Sequence, residues 1–265
     1  MSQVEVRVTG KRRLQRAAIR RLVGLALLLL FAGTPKAAAQ SAADLALVLA
    51  VDASGSVDQI RFELQKRGYV AAFRHARVLQ AIRSGPNRAI AVTMLQWTGP
   101  ALQIQVAGWG LVGDEESAAA FAGAIERAPR QLFGGGTSIS GAIDYAATLF
   151  ATSPFQASRR VIDVSGDGSN NRGRAVTLSR DAAVAAGIGI NGLPILALEP
   201  GLDRYYWDNV VGGPGAFMVT AQTYETFAEA VLKKLITEIA DLRLPGRCGT
   251  GTAAREKVSR LPCVP

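Results

Sequence analysis

An unbroken apolar run near residue 50 constrains the fold of this chain more than any other feature. Residues 45–51 are all apolar, and Asp52 follows them directly. A short run that is apolar at every position is typical of a strand covered on both faces, as the central strands of parallel sheets are. We therefore expect residues 45–51 to lie at the centre of a parallel sheet, with Asp52 at its carboxyl end.

Strand and helix patterns alternate along the chain as far as about residue 242. The turn at Gly99 and Pro100 is too short for a parallel crossover, so the strand after it should run antiparallel. The pattern predicts an α/β fold with a doubly wound, mainly parallel sheet, one antiparallel edge strand and helices on both faces. The other predicted strands are 89–97, 102–106, 160–165, 193–198 and 216–219, and the helices are 57–82, 114–128, 139–150, 175–186 and 224–242.

Residues 1–39 have the three-part pattern of a secretory signal peptide. Six basic residues between Lys11 and Arg21 precede an apolar run at 22–32, and Ala37 to Ala39 offer small residues for cleavage. The run is shorter than the roughly 20 residues that a spanning helix needs. We therefore expect a periplasmic or secreted protein with no membrane span after cleavage, the alternative being an uncleaved anchor.

The predicted signal peptide also accounts for the basic net charge. Residues 1–39 hold eight basic residues and one acidic residue, and residues 241–265 hold five and two. Because the whole chain is +9, the body from 40 to 240 is close to neutral, at −1. A role in nucleic-acid binding is therefore not indicated, since that role needs a basic patch on the folded domain.

The two cysteines, Cys248 and Cys263, lie in the tail at 244–265, beyond the predicted domain at 40–243. Export makes a disulfide between them the expected state, with two free thiols as the alternative. Their spacing matches no zinc-binding pattern.

Three polar segments should meet at one edge of the sheet. The strand directions place Asp52, the loop with Thr137 and the turn with Asp167 at the carboxyl ends of parallel strands, where ligand crevices of open α/β sheets lie. The segments supply two carboxylates and three hydroxyls, from Asp52, Ser54, Ser56, Thr137 and Asp167. An all-oxygen donor set of this kind suits Mg²⁺, with Mn²⁺ or Ca²⁺ as alternatives.

The order of these residues resembles the metal-ion-dependent adhesion site (MIDAS) of von Willebrand factor A domains. That site has Asp-x-Ser-x-Ser, then a Thr, then an Asp-Gly on the corresponding elements, and the resemblance covers about residues 43–242. The stretch 161–171 also resembles a bacterial group of exported proteins described as a domain of unknown function. The resemblance implies that Ser54, Ser56 and Thr137 contact the metal directly, that the two aspartates often act through water, and that a carboxylate of a partner protein fills the sixth position.

One segment departs from the family pattern. Members commonly carry Thr-Asp-Gly after an apolar strand, whereas this chain has Ser165-Gly166-Asp167-Gly168. We assign the site to Asp167 because it lies in the turn. Asp163 alternates with apolar residues, which indicates a buried hydrogen-bonding group instead.

Other signals carry less weight. Two Gly-x-Gly-x-x-Gly matches, at 108–113 and 187–192, lie at the wrong end or in the wrong order for a dinucleotide loop, and we expect their glycines to lie in turns. The sole histidine, His75, falls in a helix that leads away from the site. The aromatic cluster of Tyr205, Tyr206 and Trp207 follows the fifth strand and either forms a recognition rim or anchors its own loop.

Three functions remain open on this basis. The first is a binding module whose metal engages a carboxylate of a partner protein, with no catalysis. The second is a metal-dependent hydrolase, for which Asp163 and Asp58 are the only nearby carboxylates to propose as general base. The third is a von Willebrand factor A scaffold that uses no metal.

Overall fold

Five strands form the central sheet of the protein, seen in a computed structural model that describes residues 41–240. The strands are β1 (Ala42–Ala43), β2 (Leu45–Asp52), β3 (Ile90–Trp97), β4 (Gln103–Val112), β5 (Gln156–Ala157), β6 (Arg160–Gly166) and β7 (Gly189–Pro194), of which β1 and β5 form a separate parallel pair. The order in the central sheet is β4-β3-β2-β6-β7, with β4 antiparallel at one edge and every other pairing parallel. This confirms the predicted doubly wound, mainly parallel sheet.

Helices cover both faces of this sheet. A 3₁₀ turn at Phe150–Thr152 follows one of them, and a π-helical turn at Tyr206–Val210 follows another. Within residues 41–240 the α-helices are α1 (Gln59–Phe73), α2 (Ala76–Arg83), α3 (Glu115–Arg127), α4 (Ile139–Leu149), α5 (Val176–Ala185), α6 (Leu202–Tyr205) and α7 (Phe227–Ala240).

The apolar strand β2 lies between two hydrophobic cores. Leu47 and Leu49 of β2 face the core formed with α1, α2, α3 and α7, whereas Val48 and Ala50 face the core formed with α4 and α5. Successive side chains of a strand point to opposite faces, so a strand between two helical layers must be apolar at every position. All eight residues of β2 are buried.

The first predicted helix is interrupted. Residues 57–82 form two helices, α1 and α2, because the backbone at His75 is extended. His75 Nδ1 accepts a hydrogen bond from the N–H of Arg77 at 3.1 Å and so caps α2. The imidazole therefore has a local structural role.

The prediction of the fifth and sixth strands was wrong in detail. In place of the strand predicted at 193–198, the structure has β7 at Gly189–Pro194. The difference arises because glycines that were predicted to lie in a turn belong to the strand. A Cβ on Gly192 would lie 2.9 Å from Tyr206 Cδ1, so close packing requires glycine there. The predicted strand at 216–219 makes only an isolated bridge, from Met218 to Gly192.

The edge strand is longer than its pattern predicts. It continues through Gly108 and Gly110 to Val112, with an irregular register opposite β3 between Val92 and Leu95. The first Gly-x-Gly-x-x-Gly match is therefore mostly strand, which excludes a phosphate-binding loop at that position. No helix within residues 41–240 has the length and hydropathy needed to cross a membrane.

A buried ion pair joins α7 to the sheet. Lys234 Nζ lies 2.7 Å from Asp163 Oδ1 and 3.5 Å from Glu238 Oε1, and all three side chains are buried. Asn191 of β7 donates to the same Glu238 oxygen at 2.7 Å. Burial raises the pKa of Asp163 to about 7, against the opposing effect of the lysine. Asp163 is thus a buried structural group, as its position in the strand indicates.

Replacing Lys234 by methionine should remove the cation that lies between two buried carboxyl groups. We expect Lys234→Met to lower the free energy of unfolding by about 3–5 kcal/mol at pH 8. The loss should be smaller at pH 5, where the carboxyl groups can be neutralised by protonation. Urea denaturation at both pH values measures this. The neighbouring Lys233 is exposed, so Lys233→Met is the matched control and should change stability by about 0.5 kcal/mol or less. Equal losses in the two variants would contradict the expectation.

Candidate metal centre

Three neighbouring strands end at one edge of the sheet, and two of them lead into an aspartate. Asp52 is the last residue of β2 and pairs with Trp97, the last residue of β3. Asp167 directly follows Gly166, the last residue of β6. Because β3, β2 and β6 are adjacent and parallel, these residues lie side by side at the carboxyl edge.

The turn after β2 folds back toward Asp167. Asp52 Oδ1 accepts a hydrogen bond from the N–H of Ser54 at 2.7 Å. Ser54 Oγ lies 3.2 Å from Ser56 Oγ, and Ser56 Oγ donates to Asp167 Oδ1 at 2.6 Å. The structure therefore brings four of the five predicted ligands into one hydrogen-bonded cluster.

The fifth predicted ligand, Thr137, reaches the same place from a different loop. A Cβ on Gly168 would lie 3.8 Å from Thr137 Oγ1, so this hydroxyl faces the backbone just after Asp167. The N–H of Thr137 donates to Asn171 Oδ1 at 2.9 Å, and its carbonyl accepts from the N–H of Asn171 at 2.9 Å. Asn171 thus holds Thr137 in place, a role that residue type alone does not indicate.

Glycines are required at two points of this cluster. A Cβ on Gly166 would lie 2.9 Å from Asp52 Oδ2 and 2.9 Å from Tyr206 Oη, so any larger residue would displace the carboxylate. Gly136 has a φ of 84°, which favours glycine, and it precedes Thr137 directly.

The two carboxyl groups are buried together, with no counter-ion among residues 41–240. Asp52 and Asp167 are 0% and 2% exposed, and neither forms an ion pair with any residue in the range 41–240. Burial, followed by the charge of Asp167, raises the pKa of Asp52 to about 7. Two adjacent carboxyl groups in such a place repel each other when ionised, and a divalent cation would relieve that repulsion.

A tyrosine that the sequence did not single out completes the surroundings of Asp167. Tyr224, just before α7, donates its hydroxyl to Asp167 Oδ2 at 2.7 Å. Burial and the charge of Asp167 raise the pKa of Tyr224 far above its ordinary value, so it stays protonated as a donor. Its one signal in the sequence was its place as the first residue of the helix predicted at 224–242.

A third carboxylate lies at the margin of the cluster. Glu199, in the loop after β7, accepts a hydrogen bond from the N–H of Ser169 at 2.7 Å. A Cβ on Gly168 would lie 3.7 Å from Glu199 Oε2. Glu199 directly follows the predicted strand at 193–198, and this position at the carboxyl end of a strand was the signal that could have identified it.

The predicted aromatic rim is only partly at the surface. Tyr206 is fully buried in the core beside Gly166, so it cannot contact a partner and its assignment to the rim was wrong. Tyr205 is half-buried and accepts a hydrogen bond from the N–H of Asn170 at 3.2 Å, which anchors its loop. Trp207 is 57% exposed and stays a candidate for partner contact.

The five donors fit a hard divalent cation. They are two carboxylates and three hydroxyls. Within residues 41–240 no group of three or more His, Cys, Asp or Glu side chains is placed to hold a metal ion, so a cation at this site would need the hydroxyls as donors. Oxygen ligands of this kind are those that Mg²⁺ takes in proteins. Tyr206 Oη, beside Asp52, has no hydrogen-bond partner within the described residues, which adds a further polar group to the cluster.

Solved structures of other proteins share the architecture. The proximal thread matrix protein 1 (PTMP1) of the mussel byssus, in a structure with a zinc-occupied MIDAS motif, aligns at 15% identity and a TM-score of 0.54, over 76% of this chain and 47% of that chain. The pilus adhesin SpaC of Lactobacillus rhamnosus GG aligns at 17% and 0.54, over 75% and 30%. A von Willebrand factor type A protein of Catenulispora acidiphila aligns at 18% and 0.52, over 76% and 43%. The chain thus spans less than half the length of each of these structures.

These alignments show that the protein has the von Willebrand factor A fold. Residues 42–243 match the family model described as "Protein of unknown function (DUF1194)", and the chain belongs to that family. A search of curated proteins found no match.

The raised pKa of Asp52 predicts how the metal-free protein responds to pH. An unfolded aspartate ionises near pH 4, whereas folded Asp52 holds its proton to about pH 7. Its contribution to stability is therefore present below about pH 4 and is lost as the pH rises through 7, by up to about 4 kcal/mol. In EDTA, Asp52→Asn should gain stability relative to the wild type between pH 4 and pH 8.

Urea denaturation across this pH range measures the difference. Asp181 is exposed on α5, so Asp181→Asn controls for the loss of a carboxylate in general. Curves of stability against pH that run parallel for the wild type and Asp52→Asn would exclude the proposed burial cost.

Proposed function

We propose that this protein is an exported binding module that holds a divalent metal, Mg²⁺ in the first instance, and uses it to engage a carboxylate of a partner protein. The observation that carries the proposal is the pair of buried carboxyl groups, Asp52 and Asp167, with three hydroxyls around them and no cationic side chain of residues 41–240 against them. Two negative charges balance the metal, so the metal retains affinity for one more anionic oxygen from outside.

The surface around the candidate site favours a protein partner. Large apolar side chains are exposed in the loops and first helical turns at the same edge of the sheet, where they are available to another protein. An exposed apolar group of this kind around a polar centre is typical of interaction sites. The side chains are those of Ile60, Leu102, Phe133, Leu178 and Leu198, each at least 43% exposed.

The structural relatives are consistent with binding. One is a matrix protein whose MIDAS motif holds zinc, and another is a pilus adhesin. By analogy, we extend to this chain the use of a divalent metal in adhesion, while its preference for Mg²⁺ rests on the oxygen donors alone.

Hydrolysis is less well supported. Of the two carboxylates that could serve as general base, Asp163 is paired with Lys234 in the core, and Asp58 accepts the N–H of Arg61 at 2.8 Å as the N-cap of α1. His75 caps α2, at the far end of α1 from the candidate site. We therefore propose no catalytic role.

The rest of the proposal concerns residues outside 41–240. Residues 1–39 would act as a signal peptide, which would place the mature protein in the periplasm or the medium, and Cys248 and Cys263 would form a disulfide in the tail. Mass spectrometry of the protein purified from the cell envelope, with and without reductant, would report both the cleavage point and the state of the cysteines.

Metal binding can be measured directly by calorimetry. We expect Mg²⁺ to bind the wild type with one site, and Thr137→Ala to weaken that binding at least about tenfold, because a direct hydroxyl donor is lost. Thr148 is exposed on α4, so Thr148→Ala is the matched control and should bind like the wild type. Identical affinities in the two variants would remove Thr137 from the site.

Partner binding should depend on the metal. The protein is used as bait on envelope extract in Mg²⁺, and bound proteins are compared with those retained in EDTA and those retained by Asp52→Ala. A partner held only by the wild type in Mg²⁺ is the expected result. Retention that chelation and Asp52→Ala leave unchanged would favour the scaffold that uses no metal.

A further inference from the structure

Two arginines are held beside the candidate metal centre by the loop that carries Thr137. We call residues 133–137 the glycine loop. The guanidinium of Arg130 lies 4.8 Å from the ring centroid of Phe133, at the start of this loop. Arg172 lies against its other end, where a Cβ on Gly136 would come within 2.5 Å of Arg172 Cγ. The backbone N–H of Arg172 also donates to the carbonyl of Thr137 at 3.2 Å.

Arg130 is fixed in position by the backbone of the turn after β2, residues 53–56, which we call the ligand turn. Its Nη2 donates to the carbonyls of Ala53 and Ser54 at 3.1 and 3.2 Å, and its Nε donates to the carbonyl of Leu132 at 3.0 Å. A guanidinium stacked on an exposed ring and held by carbonyl oxygens has lost much of its freedom before a partner arrives, which lowers the entropy cost of binding.

Neither arginine is neutralised within residues 41–240. No carboxylate of this range forms an ion pair with Arg130 or Arg172, whereas Arg61, on the α1 side, lies 3.8 Å from Asp58. On the β7 side the neighbour of the site is Glu199. The surroundings of the site are therefore positive on the side of the glycine loop and negative on the side of β7.

This asymmetry defines the chemistry of a complementary partner. We infer that the partner presents an acidic segment with two carboxylates, one for the metal and a second for Arg130 and Arg172. This inference rests on the proposed function, because the first carboxylate needs the metal. Arginine recognises carboxylates through charge-assisted, often bidentate hydrogen bonds, and complementary charges fix the register of a binding partner. The exposed ring of Phe133 offers apolar contact beside the second carboxylate.

The inference can be tested with peptides as probes. Fluorescein-labelled peptides in a serine–glycine background carry one glutamate, two glutamates separated by one, two or three residues, or the corresponding glutamines. Fluorescence polarisation with the folded protein in Mg²⁺ and in EDTA gives their affinities. We expect the best two-glutamate peptide to bind at least about tenfold more tightly than the one-glutamate peptide, and only in Mg²⁺.

Matched variants assign the second contact. Arg130→Gln and Arg172→Gln should each abolish most of the advantage of the second glutamate, whereas Arg77→Gln, an exposed arginine at the start of α2, should retain it. Measuring the Mg²⁺ affinity of the same variants distinguishes weaker metal binding from the loss of the second carboxylate contact. Arg172→Gln is the more decisive variant, because the side chain of Arg172 does not brace the ligand turn.

The outcomes distinguish the two levels of the proposal. Binding of the one-glutamate peptide that is the same in Mg²⁺ and EDTA contradicts the proposed function itself. Metal-dependent binding without an advantage for the second glutamate, or an advantage that survives both arginine substitutions, overturns this inference and leaves the proposed function standing. Absence of any two-glutamate binding in a protein that binds Mg²⁺ overturns the inference as well.

Discussion

The arrangement of this domain depends on the cost of burying two carboxyl groups side by side. Asp52 and Asp167 end neighbouring strands, and the protein supplies them with hydrogen bonds from Ser56, Tyr224 and the N–H of Ser54, but with no positive side chain among residues 41–240. Hydrogen bonds to a carboxylate offset only part of its desolvation. Without a cation, the site therefore lowers the free energy of unfolding of the domain, as is common at functional sites.

The rest of the edge is arranged around that pair. Gly166 is small enough to let Asp52 and Tyr206 approach each other. Asn171 fixes Thr137 through two hydrogen bonds to the backbone of Thr137. Beneath the site, Lys234 balances buried negative charge at Asp163, which lies on the same strand that leads to Asp167. The strand β6 thus carries Asp163, which has a cation inside the protein, and leads into Asp167, which has none among residues 41–240.

The sequence predicted the sheet and the convergence of the site because both follow from local patterns. A continuous apolar run indicates a doubly covered strand, and polar residues directly after such strands must share an edge. The errors fell where glycine was taken to mean a turn, as in β7, and where an aromatic residue in a loop was taken to mean exposure, as for Tyr206. Glu199, Tyr224 and the pairing of Arg130 with Phe133 depend on tertiary contacts between distant elements, which residue spacing does not encode.

The distance along the chain between the candidate donors has a consequence for the stage at which a metal could bind. Asp52 and Asp167 come from opposite halves of the domain, and Thr137, from a third segment, is held by Asn171 of the loop that also carries Asp167. No short segment of the chain contains the set, so a nascent polypeptide that is still unfolded has no such site to load. Cation capture would thus follow tertiary assembly, and the local availability of the ion after folding would decide how much of the population is stabilised.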